Sequence, residues 1–412
     1  MTDATEVSAE DRALGEACRF VRRRRGMSLE EVAGLAGIHY SFLSRLERGE
    51  RGFTQRGLLE NLAAAMSCSV ADLTGQPYLA PDPETVAATA EIPALSLAFH
   101  DVTLDDTPDI PTRPLHTLVA AAHAANVHAD NAHFDLAGRG LGRIITELHV
   151  IANSGDGDDR QEALAALAEA SEVAYSLART TGRFELAVAA ARRGFDAARR
   201  AERLDLMGLL AMSRSVALMR LGARRAARTV THDALAALAD VPGPYKEDTT
   251  VGEAHGMVHL TGALIAARDD DLSRADTHLE EARSLANYVG ERNHLRFHFG
   301  PANVAAWELS LHVESGRGAE AAERFDLNKI DFSVFGSRER ESSIHFDLAR
   351  GWAQAEGSRD DRVLRALDNA DRLAPVRVRN DPLARDIVLA VDRRSKRRVW
   401  ELNSLKNRLG VA

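Results

Sequence analysis

The 412-residue sequence predicts an all-α protein, and three observations carry that expectation. Alternating Val/Ile/Thr runs bounded by hairpin turns are missing and aromatic residues make up only 5% of the chain, so strands have little support. Alanine, leucine, arginine and glutamate, which have the highest helix propensities, fill the long segments instead. Proline, which breaks helix interiors, is crowded: seven of twelve lie between Pro77 and Pro114, and none occurs from His116 to Val241. The chain is too long for one ordinary compact domain. The prolines place the seam, giving an N-terminal unit over 10–76, a Pro-rich linker over 77–114 with one short helix at about Glu84 to Phe99, and a helical body over 115–412.

Charge and cysteine usage narrow the function classes. With 52 basic and 61 acidic residues the net charge is −9, which argues against a surface that binds nucleic acid everywhere but leaves room for a local basic patch. Two cysteines, Cys18 and Cys68, exclude a disulfide framework and a four-thiolate zinc site, and point to a reducing, cytoplasmic setting. The first residues, MTDATEVSAEDRALGEA, are acidic and lack the apolar core of a secretory signal. No run of about 18 uncharged apolar residues suggests a membrane span, so no membrane partner is expected.

The N-terminal unit reads as five short helices. Leu14, Cys18 and Val21 recur at helical spacing on the first, which runs into Arg22-Arg23-Arg24-Arg25-Gly26. Ser28 and Glu31 form a capping box, each side chain reaching the other's backbone N–H, and start a second helix with Leu29, Val32 and Ala33 inward. Ala36-Gly37 makes a tight turn. A third helix, about His39 to Glu47, carries Phe42, Leu43 and Leu46 as its apolar face and stops at Gly49. Leu58, Leu59, Leu62 and Met66 mark a fourth helix, and Val70 to Leu73 a short fifth. From Arg19 to Arg56 there are nine arginines against four glutamates, a local net of +5, the footprint of phosphate neutralisation.

Gly26-Met27-Ser28-Leu29-Glu30-Glu31-Val32-Ala33, Ala36-Gly37-Ile38 and Leu43-Ser44-Arg45-Leu46-Glu47-Arg48-Gly49 resemble the XRE-family, lambda-repressor-like helix-turn-helix. That resemblance implies a sequence-specific transcription regulator that binds double-stranded DNA, as a homodimer on a palindromic operator, with its third helix in the major groove. It makes His39, Tyr40, Ser41, Ser44 and Arg45 the base-reading candidates, Arg45 foremost because a guanidinium can bond guanine O6 and N7 together. Ser28 would present a phosphate to the second helix's N-terminus, and Arg23, Arg24, Arg25 and Arg48 would meet further phosphates. Where the family often has a glutamine after that cap, this chain has Leu29. The resemblance also implies a buried ion pair between Arg22 and Glu47.

In the body a small-x3-bulky-x2-small pattern returns: Ala187/Ala191/Gly194, Ala227/Thr231/Ala234, Ala275/Leu279/Ala282, Ala321/Phe325 and Val363/Leu367/Ala370. Each follows an apolar helix closed at Gly182, Gly222, Asp269 to Asp271, Gly316 or Gly357, so the unit is a helix hairpin and the body a solenoid with a concave surface. The pattern resembles tetratricopeptide repeats, at a period longer than usual. The resemblance extends to repeat-bearing regulators that sense a signalling peptide or small-molecule effector in the groove lined by each first helix, with segment 76–114 transmitting the signal. It nominates Asn303, Trp307, Ser310, Leu260, Leu264, Phe346 and Arg350 as effector-binding, Arg350 meeting a carboxylate. The alternative is a DNA-bound adaptor whose groove recruits a protein partner.

Other chemistry is thin. His255/His259 and His294/His298 have helical spacing without the glutamate of a metalloprotease motif, Gly138-x-Gly140-x-Gly142 follows no strand, and Asn153 to Asp159 lacks the twelfth-position glutamate of a calcium loop. No metal, no cofactor and no catalysis are expected. Segment 294–301 must bend ahead of Pro301. Leu389, Val391, Val399, Trp400 and Leu402 read as a last capping helix whose basic run, Arg393 to Arg398, faces solvent or, alternatively, touches DNA phosphates.

Overall fold

The computed structural model describes residues 9–50, 56–66, 68, 73–74, 83–239, 249–294, 296, 298–355, 357–395 and 399–411. All regular structure among them is helical. The head contains α1 (Ala9–Arg24), α2 (Leu29–Leu35), α3 (Tyr40–Glu47) and α4 (Arg56–Ala65). Cys18, Val32, Ala33, Leu43, Leu46, Leu59, Leu62 and Met66 form its core. Of the fifth expected helix only Leu73 is described, and it is buried in that core.

Two glycines set the head's geometry. A Cβ on Gly15 would stand 2.1 Å from the Leu46 carbonyl oxygen, so α1 and α3 meet backbone to backbone. Gly37, at φ +71°, takes the left-handed conformation that turns α2 into α3. Beside this crossing the Arg22 Nε donates to Glu47 Oε1 at 2.6 Å and Nη2 to Oε2 at 2.8 Å, while Nη1 donates to the Met27 carbonyl at 2.9 Å. The side chains are only 10% and 5% exposed. One guanidinium thus ties α1 to α3 and holds the turn before α2.

The body begins earlier than the prolines suggest. Instead of a linker with one short helix, 83–104 supplies α5 (Pro83–Ala90) and α6 (Ile92–Asp101), whose Ile92, Leu95, Ala98 and Phe99 lie in the main hydrophobic core with Leu104. Pro93 occupies the first turn of α6, where its missing N–H has no intrahelical partner to lose. Pro77 and Pro81 lie outside the described residues.

Next come α7 (Leu115–Asp130), the single turn and a half α8 (Phe134–Gly138) and α9 (Leu141–Ser154). Hairpins follow: α10 (Gly157–Thr180) with α11 (Phe184–Arg200), α12 (Leu204–Arg220) with α13 (Arg224–Ala239), α14 (Thr249–Arg268) with α15 (Leu272–Val289), α16 (Pro301–Glu314) with α17 (Gly318–Arg324), and α18 (Arg338–Ala353) with α19 (Asp360–Leu373). Their turns have positive φ at Gly182, Gly222, Asp270, Gly316 and Gly357, the punctuation visible in the sequence. The small positions of α11, α13, α15 and α19 are buried where helices approach. Thr231, anomalous at a bulky position, donates to Ser215 Oγ at 2.9 Å across its hairpin. The fourth repeat departs from the pattern. Its second helix stops at Arg324, so Phe325 caps it, and two 3₁₀ turns, Leu327–Lys329 and Phe332–Val334, lead to α18.

The chain then forms α20 (Pro375–Arg379), α21 (Pro382–Arg394) and α22 (Trp400–Leu409). The expected single last helix is therefore two: Leu389 and Val391 sit on α21, Leu402 on α22, and 396–398 of the basic run lies outside the described residues. The solenoid also returns on itself rather than leaving an open concave face. Ala374 and Val376 lie in the same core cluster as α5 and α6, Ser337 Oγ donates to the Asp130 carbonyl at 3.1 Å, and Arg179 Nη2 meets Glu339 Oε1 at 3.0 Å.

Two substitutions test the head's crossing. Glu47→Gln should destabilise the head by ~3–5 kcal/mol, because it strands a buried guanidinium, whereas the pair Arg22→Met/Glu47→Leu should cost less than the single change. Urea denaturation followed by hydrogen exchange in 12–50 separates the two outcomes.

Candidate nucleic-acid interface and central cavity

In the head, a side chain caps the start of each of α2 and α3. Ser28 Oγ accepts the Glu31 N–H at 3.1 Å and Glu31 Oε2 accepts the Ser28 N–H at 2.7 Å, a complete capping box. Hydrogen bonds from Ser28 hold the Glu31 carboxyl below the usual carboxylate range. At α3, His39 Nδ1 accepts the Ser41 N–H at 3.3 Å and lies 2.7 Å from Ser41 Oγ, so these two candidates are joined to each other. The Tyr40 ring packs 4.5 Å from the imidazole and is 48% exposed.

Ser44 Oγ accepts from Arg48 Nη1 at 2.6 Å, and Arg48 grips Glu50 at 2.6 and 2.9 Å. Ser44 and Arg48 therefore start from internal partners, which a base or phosphate would have to displace. Arg45 is exposed one helical step away. Arg23, Arg24 and Arg25 are exposed past the end of the α1–α3 crossing, with Arg24 over the Phe20 ring at 5.9 Å. Arg22 and Glu47 are buried in each other and face no ligand. Burial, with Glu47 nearby, pushes the Cys18 thiol up to about 12, leaving it a core side chain.

The second site is a central cavity of about 260 Å³, lined by the first helices of all five hairpins and by α7. Six of the seven effector candidates line it: Asn303, Trp307, Ser310, Leu264, Phe346 and Arg350. Leu260 does not. It is fully buried in the main hydrophobic core, while Met257 and Leu264 of the same helix line the cavity on either side of it along the chain. Three other candidates are already engaged. Asn303 is fully buried and its Oδ1 accepts from Arg340 Nε at 2.7 Å. Arg350 meets the protein's own Glu314 at 2.7 Å and Asp347 at 2.9 Å, and Ser310 donates to Asp347.

Apart from Arg350, the cavity's ionic side chains went unnoticed in the sequence because their partners are distant in the chain. Arg179 pairs with Glu339 160 positions on, and Arg268 with Glu314 at 3.1 Å. Arg296 reaches Asp130 at 2.9 Å from a bend where Arg296 and His298 take φ of +56° and +57°. Such backbone strain is tolerated where surroundings over-determine it. That bend also separates the spaced histidines: His294 bonds Glu253 at 2.5 Å, while His298 faces Asp130. On α14, His259 Nδ1 lies 3.1 Å from His278 Nδ1 on α15. No group of three ligands suited to a metal occurs among the described residues.

Glu172 faces the cavity and accepts from Ser213 at 2.7 Å, and burial pushes its carboxyl up to about 8. A carboxyl raised in the folded state stabilises while protonated, and that contribution declines as pH rises from about 4.5 through about 8. Glu172→Gln, which mimics the neutral acid, should gain on wild type across that window, by at most ~1.4 kcal/mol per pH unit. Thermal melts at several pH values read the widening gap, and a constant gap contradicts the assignment.

Comparison with known proteins places the head. The helix-turn-helix domain family matches residues 13–74. A competence pilus inhibition repressor of Acinetobacter baylyi is 37% identical over 60 residues, 15% of this chain and 54% of that protein, so the match spans about half of the relative's length. Among solved structures, Bacillus thuringiensis PlcR in complex with the peptide PapR7 and DNA aligns over 88% of this chain and 99% of that one, at 10% identity and a TM-score of 0.28, a superposition too loose to bear on fold or ligand. No helix among the described residues is long and apolar enough to cross a membrane. The N-terminal unit belongs to the helix-turn-helix family of DNA-binding domains, and the chain is that domain followed by a helical-repeat body.

Proposed function

We propose that this protein is a sequence-specific, homodimeric transcription regulator whose repeat body senses a peptide or small-molecule effector, without catalysis of its own. The observation that carries the sensing half is the central cavity, a polar and apolar lined space ringed by hairpins. For the effector to regulate, it must bind the DNA-competent and incompetent arrangements with different affinity. Because α5 and α6 belong to the body core, the coupling path is the stretch joining α4 to α5, shorter than the segment 76–114 that the prolines outline.

On the DNA side, Arg45 serves as base reader, with Tyr40, and Ser28, Arg23, Arg24 and Arg25 as phosphate contacts. This reading is supported by the exposure of these side chains: Ser28 and Tyr40 at the starts of α2 and α3, Arg45 in the last turn of α3, and Arg23 to Arg25 at the end of α1. Ser44 and Arg48 join by exchanging internal partners, and the His39–Ser41 pair shapes the helix start.

Selection of sites from a random duplex library should enrich an inverted repeat with half-sites about one helical turn apart. Arg45→Ala should relax preference at one position with a loss of ~1–3 kcal/mol, while Arg24→Ala weakens all sequences alike and reduces the salt slope by about one. Wild-type binding by both variants would remove α3 from the groove.

A further inference from the structure

The cavity has an uneven distribution of charge. Glu339 is shared by Arg179 at 3.0 Å and Arg377 at 3.4 Å. Arg340, the next residue on α18, touches no carboxylate: its Nε donates to Asn303 and its Nη1 to Ser343 Oγ at 3.4 Å, both neutral. Arg340 Nη2 and Arg377 Nη1 are buried with no hydrogen-bond partner among the described residues. A buried donor left unmatched costs about 1–3 kcal/mol, more when it carries charge. The neighbouring carboxylates are committed elsewhere, Asp347 to Arg350 and Ser310, and Glu314 to Arg268 and Arg350. Beside the unmatched guanidinium the wall is apolar: the Trp307 ring lies 6.0 Å from Arg340, with Phe346, Met257 and Leu264 also lining the space.

Resting on the effector reading above, we propose that the cavity's ligand is a carboxylate-bearing molecule with an apolar body, its anionic end held by Arg340 and Arg377 and its body lying against Trp307 and Phe346. Two N–H groups on separate guanidiniums suit the two oxygens of a carboxylate, which brings one negative charge to a corner where three guanidiniums share one. Burial lowers the Arg340 pKa to about 10, the mark of a cation short of compensation. A cavity of about 260 Å³ sits just under the ~300–1,000 Å³ of ordinary ligand pockets, which limits the body to a small acid or the last residues of a peptide.

The experiment uses the full chain and calorimetric or thermal-shift titration with hexanoate and phenylacetate, each beside its neutral amide, and with leucyl-phenylalanine carrying a free or amidated C-terminus. We expect saturable stabilisation by the free carboxylates and binding at least about tenfold weaker for the amides, since charge-assisted hydrogen bonds are the stronger class. Arg340→Met should erase that difference without lowering the ligand-free melting temperature, because it deletes an uncompensated buried cation, and Arg377→Met should reduce the difference independently. Selective binding of the free acids identifies a small acid as the source, and of the free dipeptide alone, a peptide terminus.

Equal binding of acids and amides, or an Arg340→Met protein that still discriminates, overturns the anion site while leaving effector sensing standing. No binding by any probe, charged or neutral, overturns the proposed site and counts against the sensing reading with it.

Discussion

The return of the last hairpin onto the first is the constraint on which the inner face depends. Helix hairpins joined by left-handed turns at Gly182, Gly222 and Gly316 would otherwise stack into an open superhelix, each touching only its neighbours. Here Ala374 and Val376 insert into the core built by α5, α6 and the early hairpins, and that apolar contact supplies the stability. The cross-ring pairs, Arg179 with Glu339 and Arg296 with Asp130, add little net energy because desolvation offsets their attraction. Their role is registry: they hold charged side chains at set positions around the cavity.

Small residues make that closure possible. In the second helix of most hairpins alanine or glycine faces the neighbouring helix, as Ala187, Ala191 and Gly194 do on α11, and a Cβ on Gly194 would stand 2.8 Å from Leu210 and Ser171. Close helix approach permits tight curvature over a few hairpins. The same device operates in the head, where Gly15 lets α1 rest on the Leu46 carbonyl and the Arg22–Glu47 pair fixes the crossing. Head and body thus use one packing principle for different ends: a fixed presentation of α3 in the first, a half-open cavity in the second.

The functional reading joins these two rigid parts through a short stretch. Because the helices of 83–101 belong to the body core, the proposed coupling between cavity and head runs through the residues after α4. The cavity itself is asymmetric, with compensated ion pairs around most of it and an undercompensated corner at Arg340 and Arg377. Folded proteins tolerate such corners at functional sites, the role proposed for this one.

Local rules made the head legible in advance. Capping box, turn glycine and apolar spacing all act over a few residues, so the ends of α2 and α3 and the basic patch were determined by the sequence itself. The hairpin turns were legible for the same reason. Three features were decided only by tertiary structure. Residues 83–104 read as linker because proline marks boundaries, yet proline is harmless in a first helical turn, and burial against α9 and α11 made them core. Ser44, Arg48, Asn303 and Arg350 read as free ligand-facing groups, but neighbours in space had already engaged them. Ring closure and the charge of the cavity depend on partners more than a hundred residues apart, such as Arg179 and Glu339, and no local spacing encodes a contact that exists only once the superhelix has completed its turn.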